Sequence, residues 1–301
     1  MKVSEIVREL LYGKNGYYMK YVSIGKRGDF FTAPHVSALF GYTVAKFLKE
    51  EGVRFFVEVG GGEGYLTEDI LNFSDLVGAI YEISPRLREI QNMRLSKFKG
   101  RFFQTDHPIK ADAYILNEVI DALPFNRFIF KDGKWWEYVF ENGKWELREG
   151  KPKLRIEPFE GFIYDETEGL EDFLEGILKN TDRVLIFDYG YDEEEFAALA
   201  PEGTMSGYKH HRVYYGFEAL KEGNDITHFP NFTRVREIAE SMGFYVREYL
   251  PQSQFLINHG ILEIFSSLPE EEKFKFSGGL KTLLFLFKNH RVMYLVRGRQ
   301  P

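Results

Sequence analysis

The 301-residue chain contains no cysteine, which excludes disulfides and thiolate metal sites and leaves the redox compartment undetermined. It has no surplus of positive charge. Its 39 Lys and Arg stand against 46 Asp and Glu, a net charge of −7, so no nucleic-acid partner is expected. Long apolar runs are also missing: the longest, Thr282-Leu-Leu-Phe-Leu-Phe287, falls far short of the roughly 20 residues that span a bilayer. The N-terminal Met1–Leu11 reads as a short amphipathic helix with charges throughout, without the apolar centre of a signal peptide. No membrane insertion and a cytoplasmic location are therefore expected. The seven histidines show neither H-x-x-x-H nor H-E-x-x-H, so no metal is expected, and the serine-nucleophile pattern G-x-S-x-G does not occur. There is no internal repeat, low-complexity tract or domain linker.

Aromatic residues are plentiful. With 29 Phe and 18 Tyr they make up 17% of the chain, which calls for a thick core or an aromatic-lined cleft. The length and the 44% apolar content allow one elaborated domain or two small ones.

The most informative stretch is Val53-Arg-Phe-Phe-Val-Glu-Val-Gly-Gly-Gly-Glu-Gly64. It reads as a buried parallel strand breaking into a glycine turn, followed by a helix with Leu66, Ile70 and Leu71 on one face. Strand, glycine loop and helix N-terminus together suit a ligand that needs close backbone approach. A dinucleotide fingerprint needs G-x-G-x-x-G, but here Gly60, Gly62 and Gly64 alternate and Tyr65 takes the completing position. An acidic residue, here Glu58, before G-x-G-x-G is the pattern of S-adenosylmethionine-dependent methyltransferases. Glu82, at the end of the next strand, could accept both hydroxyls of a ribose. An ordinary βα turn is the plainer alternative.

Around this stretch the pattern alternates strand and helix. Strands are expected to end at Val59, Ile83, Thr105 and Leu116, with Pro85 near the start of a helix ending near Phe98. This is a doubly wound α/β order, whose ligands bind beyond the carboxyl ends of the strands. Asp132-Gly133 and Asn142-Gly143 signal two successive hairpins, with the three tryptophans packing that small sheet or, secondly, walling a cleft. A helix near Leu170–Lys179 and a strand Arg183–Phe187 follow. Residues 191–230 read as a long functional loop. A helix Arg234–Met242, a strand Tyr245–Leu250, a helical stretch near Phe255–Ser267 and a terminal hairpin of Thr282–Phe287 with Val292–Val296 close the chain. The organisation expected is one catalytic unit over 1–301. It comprises an N-terminal helical segment (1–50), a core (51–126 and 165–301) with a lid around 191–232, and a β-hairpin insertion (127–164).

Asn117-Glu118-Val-Ile-Asp121-Ala-Leu-Pro124 sits at the carboxyl end of the fourth strand. If the chain turns helical there, Glu118 and Asp121 share a face and could hold a cationic acceptor such as a guanidinium. They could also remove the proton released when a nitrogen is methylated. The plainer alternative has Asp121 capping a helix and Asn117 tying down a loop.

These blocks, in this order, resemble the MidA-type S-adenosylmethionine-dependent methyltransferases, the family of the mitochondrial complex I assembly methyltransferase. The resemblance runs from about Gly16 to Ile261. It rests on Gly28-Asp-Phe-Phe-Thr-Ala-Pro34, Glu58–Gly64, Glu82-Ile-Ser-Pro85, Asn117-Glu118 with Asp121–Pro124, Asp188-Tyr189-Gly190, Gly203-Thr204, His211, Asp225-Ile-Thr227 and Gln252. It implies a class I, Rossmann-like fold and S-adenosyl-L-methionine as cofactor, with S-adenosyl-L-homocysteine as product and no metal. The resemblance also implies that Glu58, Gly60, Gly62, Gly64, Glu82, Ile83, Asp106 and Asn117 hold the cofactor. Glu118, Asp121, Asp29 and Asp188 would be catalytic; Phe30, Thr32, Pro34, Tyr189, His211, Asp225, Thr227 and Gln252 would form the substrate side and lid. The implied substrate is an arginine of a protein, a complex I-like or hydrogenase-related subunit, and a homodimer is allowed. A small amine or guanidine as acceptor, or a non-catalytic cofactor-binding assembly factor, are the alternatives. The chain departs from the family's usual residues at Gly61, His35, Phe229 and Asn231.

Overall fold

The computed structural model describes residues 1–21 and 32–299. Its strands are β1 (Phe55–Val59), β2 (Val77–Tyr81), β3 (Phe102–Thr105), β4 (Ala113–Asn117), β5 (Phe125–Lys131), β6 (Lys134–Glu141), β7 (Lys144–Glu149) and β8 (Ile163–Thr167). They continue with β9 (Arg183–Tyr189), β10 (Ser206–Lys209), β11 (Arg212–Tyr215), β12 (Asp225–Thr227), β13 (Phe244–Pro251) and β14 (His290–Arg297). Seven of them form the central sheet in the order β13-β14-β9-β4-β1-β2-β3. β14 alone runs against its neighbours, β9 and β13. The strand order reverses between β1 and β4, and the carboxyl ends of those two strands are where such sheets bind ligands.

Alternation along the strands builds two cores, one on each face of the sheet. Phe56, Ile115, Leu185, Phe187 and Val292 point to one face, against Phe40, Phe47, Leu66 and Phe255. Val57, Tyr114, Leu116, Ile186 and Met293 point to the other, against Leu174, Ile177, Phe232 and Val235. Helices follow the strands on both faces: Tyr65–Phe73 after β1, Pro85–Leu95 after β2, Leu170–Leu178 before β9 and Phe232–Ser241 before β13. Ser84 Oγ caps the second of these by accepting from Leu87 N at 3.2 Å, with Pro85 at the first helical position. No helix among the described residues is long and apolar enough to cross a membrane.

Between 125 and 167 the chain forms a separate four-stranded antiparallel sheet, β7-β6-β5-β8. Both expected turns are there: Asp132, Gly133, Asn142 and Gly143 all have positive φ, as a two-residue primed turn requires. Two of the three tryptophans are packing residues. Trp135 is buried against Phe130 and Phe162, and Trp145 stacks on Phe217 with 4.2 Å between ring centroids.

Two expected elements are corrected. Residues 282–287 are not a hairpin strand, because Glu270–Phe285 is a helix. Glu270, Glu271 and Glu272 complement its N-terminal dipole, while Phe276, Leu280 and Leu283 pack on the core at helical spacing. The antiparallel neighbours of β14 are β13 and β9, supplied from earlier in the chain. Residues 191–230 are not a plain loop either. They hold the helix Glu193–Leu199 and a three-stranded sheet, β11-β10-β12, whose turn places His210 and His211 at positive φ. The N-terminal helix Val3–Tyr12 packs Val3, Val7 and Leu11 against Phe125, Met205 and Ile226, joining the two small sheets.

Candidate active site

A cavity of about 560 Å³ lies at the β1/β4 switch point, within the usual range of small-molecule sites. Gly60, Gly61 and Gly62 line one wall, at the end of β1. Gly60, Gly62 and Gly64 have φ of 59°, 51° and 86°, left-handed values that disfavour a side chain. Gly61 is needed for a different reason: a Cβ there would meet Ile80 Cγ2 at 2.9 Å and Glu58 Cδ at 3.1 Å. Gly64 caps the following helix and does not reach the cavity.

The acids at this end are buried and hydrogen-bonded. Glu58 accepts from Thr67 Oγ1 at 2.5 Å, and burial raises its pKa to about 7, partly offset by the Thr67 hydrogen bonds. Glu82 follows β2 directly, accepting from Ser84 N at 2.8 Å and Gln91 Nε2 at 3.3 Å. Burial pushes its pKa up as well. Gln91 also donates to Gly62 O at 2.8 Å, so one amide ties the glycine loop to the second-strand acid. Ile83 lines the cavity with an exposed side chain. Asp106 does not line it: β3 is the sheet edge, and there Asp106 turns to His107 Nδ1 at 2.8 Å, largely exposed.

Next to the loop, where β4 ends beside β1, stand Asn117, Glu118 and Asp121. The expected helix over 118–121 is corrected. Glu118 has φ 53°, and its N–H donates to Phe187 O at 2.8 Å, so pairing with β9 continues past β4. Asp188 completes the tie: its carboxylate accepts from Ile120 N at 3.0 Å, Asp121 N at 3.3 Å and Tyr189 N at 2.9 Å. Asp188 is fully buried, lies behind the cavity wall, and is held well above the usual carboxylate range by burial and then by the charge of Glu118. Asp121 is held well above the usual carboxylate range by burial, Asp188 and Glu118. Nor does Asp121 cap a helix; residues 118–124 are a turn entering β5.

Asn117 Oδ1, Glu118 Oε1 and Asp121 Oδ1 are buried without a hydrogen bond of ordinary length among the described residues, although the Tyr189 hydroxyl approaches the Asp121 carboxyl. Unsatisfied polar atoms of this kind are costly and call for a ligand or solvent.

Of the expected substrate-side residues, Thr32, Pro34, Tyr189 and Asp225 line the cavity. Asp225 accepts from the Tyr18 hydroxyl at 2.7 Å. Thr227 and Gln252 are buried away from the cavity, and His211 is exposed in the β10–β11 turn. Asp29 and Phe30 lie outside the described residues. Sequence reasoning missed Tyr12, Tyr18, His35, Tyr208 and His290 in the cavity wall. Isolated aromatic and imidazole residues carry no spacing signal that could have found them. His228, next to the expected Asp225–Thr227 block, is buried between Thr167 Oγ1 at 2.6 Å and Asp121 O at 2.9 Å. Burial lowers its pKa to about 4, so it is a neutral structural link. No group of His, Asp or Glu among the described residues could hold a metal ion.

Residues 42–250 match the family described as "Putative S-adenosyl-L-methionine-dependent methyltransferase". The chain is 31% identical over 182 residues to the Xenopus laevis protein arginine methyltransferase NDUFAF7, mitochondrial. That match covers 46% of this chain and 41% of the relative, so it spans about two fifths of the relative's length. The Danio rerio protein of the same name is 25% identical, across 87% of this chain and 73% of the relative. A crystal structure from Burkholderia thailandensis, bound to S-adenosyl-homocysteine, superimposes with a TM-score of 0.87 at 22% identity. It covers 100% of this chain and 89% of the other, and establishes the shared fold. These relatives also correct the expected location. The named ones are mitochondrial, which overturns the cytoplasmic expectation; composition and an N-terminus unlike a signal peptide do not report a compartment.

Proposed function

The chain belongs to the S-adenosyl-L-methionine-dependent methyltransferase family that its residues 42–250 match, and we propose that it methylates a nitrogen of a protein arginine. In this reading the glycine loop, Glu82, Ile83 and Asn117 hold S-adenosylmethionine. Gly60 and Gly62 turn the backbone into the cavity wall at left-handed φ, Glu82 stands at the strand end where ribose hydroxyls are met, and Asn117 Oδ1 is left unpartnered. The cofactor supplies an electrophilic methyl group on a sulfonium, and S-adenosylhomocysteine leaves.

The acceptor half rests on one observation: the buried, unpartnered oxygens of Glu118 and Asp121 belong to residues that wall the cavity lined by the glycine loop. A guanidinium is planar, carries five N–H donors and is weakly hydrated, so two fixed carboxyl oxygens can both hold and orient it. Tyr12, Tyr18, Tyr189 and Tyr208 line the same cavity with aromatic surface. Alignment of the nitrogen accounts for much of such a reaction. Asp188 acts through Ile120 and Asp121 and is a positioning residue.

The relatives' names support a protein acceptor. A complex I-like or hydrogenase-related subunit is the kind of partner the family resemblance implies. Residues 1–301 then work as one catalytic unit, with Asp225 bringing the 191–232 segment to the cavity. The test is incubation with methyl-labelled S-adenosylmethionine and candidate subunits, followed by acid hydrolysis and chromatography. Label recovered in methylarginine is expected; label only in another residue or in a free guanidine would overturn the protein-arginine assignment.

A further inference from the structure

His290 lies beyond the 42–250 region that defines the family, at the first position of β14, yet it lines the cavity. Its Nε2 is buried without a hydrogen-bond partner among the described residues, and it faces Glu118 Oε1 at 3.6 Å, an oxygen in the same condition. That separation is too long for a direct hydrogen bond and suits an ion pair when the imidazole is protonated. The ring is fixed in place. β14 pairs His290 with Tyr189, whose ring lies 5.2 Å away edge-on, and Phe287 closes the other side at 4.7 Å.

The other charged groups around it have different occupations. Arg291, next on the strand, pairs with Glu195 at 3.2 Å. Asp188 is occupied by three backbone N–H groups, and Asp121 has its pKa pushed up by burial. Tyr189 and Tyr208 are phenols whose pKa burial raises further.

We propose that Glu118 and His290 form one proton-holding pair and that a cationic acceptor enters by displacing the proton. With the acceptor absent, the imidazolium is the counter-ion of Glu118. When a guanidinium binds Glu118, His290 gives its Nε2 proton to solvent, one positive charge replacing another. The imidazole left beside the acceptor is neutral, the form that can receive a proton. The inference rests on the methyltransferase reading for the identity of the acceptor, while the pair itself stands on the geometry.

The probe is methylguanidinium chloride, titrated calorimetrically into the full chain at mildly acidic pH in buffers of different ionisation enthalpy, which counts protons released per cation bound. Release approaching one proton is expected for the wild type. His290→Asn should bind the probe and release far less, which separates His290 from Asp121 and Asp188 as the proton source. Glu118→Gln should bind about tenfold more weakly, the order expected for losing a charged hydrogen-bond acceptor. Equal release from wild type and His290→Asn, or no binding at tens of millimolar, would overturn the pair. A parallel titration with S-adenosylhomocysteine keeps the two readings apart. Cofactor binding without proton release sinks only the pair, and release without cofactor binding sinks only the methyltransferase reading.

Discussion

The two groups of strand ends that line the cavity, β1 with β2 and β4 with β14, are built in opposite ways. At the glycine-loop end every acid is occupied: Glu58 by Thr67, and Glu82 by Ser84 N and Gln91. The contributing segments, β1, its loop, β2 and the helix after it, are consecutive in the chain. At the acceptor end Glu118, Asp121 and His290 keep buried polar atoms without partners, and they come from chain positions as far apart as the end of β4 and the start of β14. A satisfied network is rigid and stabilising, so the first end is a preformed cradle. An unsatisfied one costs stability until something fills it, so the second end is kept for a ligand.

Glu118→Gln breaks this contrast most directly. Methyl transfer should fall by at least about a hundredfold, the usual scale for a positioned acid or base. The melting temperature should stay level or rise, because the change removes one charge from a cluster of buried acids. Rate assays and thermal melts on the same sample check both halves; a large loss of stability would show that the acceptor end is structural. Next in size, Gly62→Val should weaken S-adenosylmethionine binding by about tenfold or more, since φ 51° costs a branched residue roughly 1–2 kcal/mol before any contact with ligand. Unchanged affinity would discard the cradle.

Thr67→Val should do the reverse of Glu118→Gln. It should lower stability by about 1 kcal/mol, read by denaturant melts, with methyl transfer at saturating cofactor largely kept. The finest test is a difference in pH slope. Glu58, raised to about 7, and Asp188, raised in the same direction by burial, hold protons in the folded state that the unfolded chain gives up near 4. The folded state binds more protons in that window, so stability should fall as pH rises from about 4 through about 7. The slope should be shallower in Glu118→Gln, whose charge no longer opposes ionisation of Asp188; an identical slope would contradict the coupling.

The same contrast governs what could be read from the sequence. The cradle was legible because its signals are local. Val53–Gly64, Glu82 and Pro85 each act on the next few residues, and the two hairpin turns carry their own Asp-Gly and Asn-Gly. The acceptor end was legible only as a list of acids. A helix over 118–121 fits the spacing, but Glu118 N–Phe187 O and the Asp188 carboxylate override it from 67 to 69 residues away. The terminal hairpin failed similarly, since the partners of β14 are β9 and β13, and nothing in Thr282–Phe287 shows that this apolar run packs on one helix face. His290 reached the site through that same long-range pairing.

The glycine cradle is expected to take S-adenosylmethionine, and the spacing of Gly60, Gly62 and Gly64 to select against a dinucleotide. Calorimetric titration of the full chain with S-adenosylmethionine and, separately, with NADH tests it most directly. Micromolar binding of the first and none of the second is the predicted result. Binding of NADH, or of neither, would contradict it.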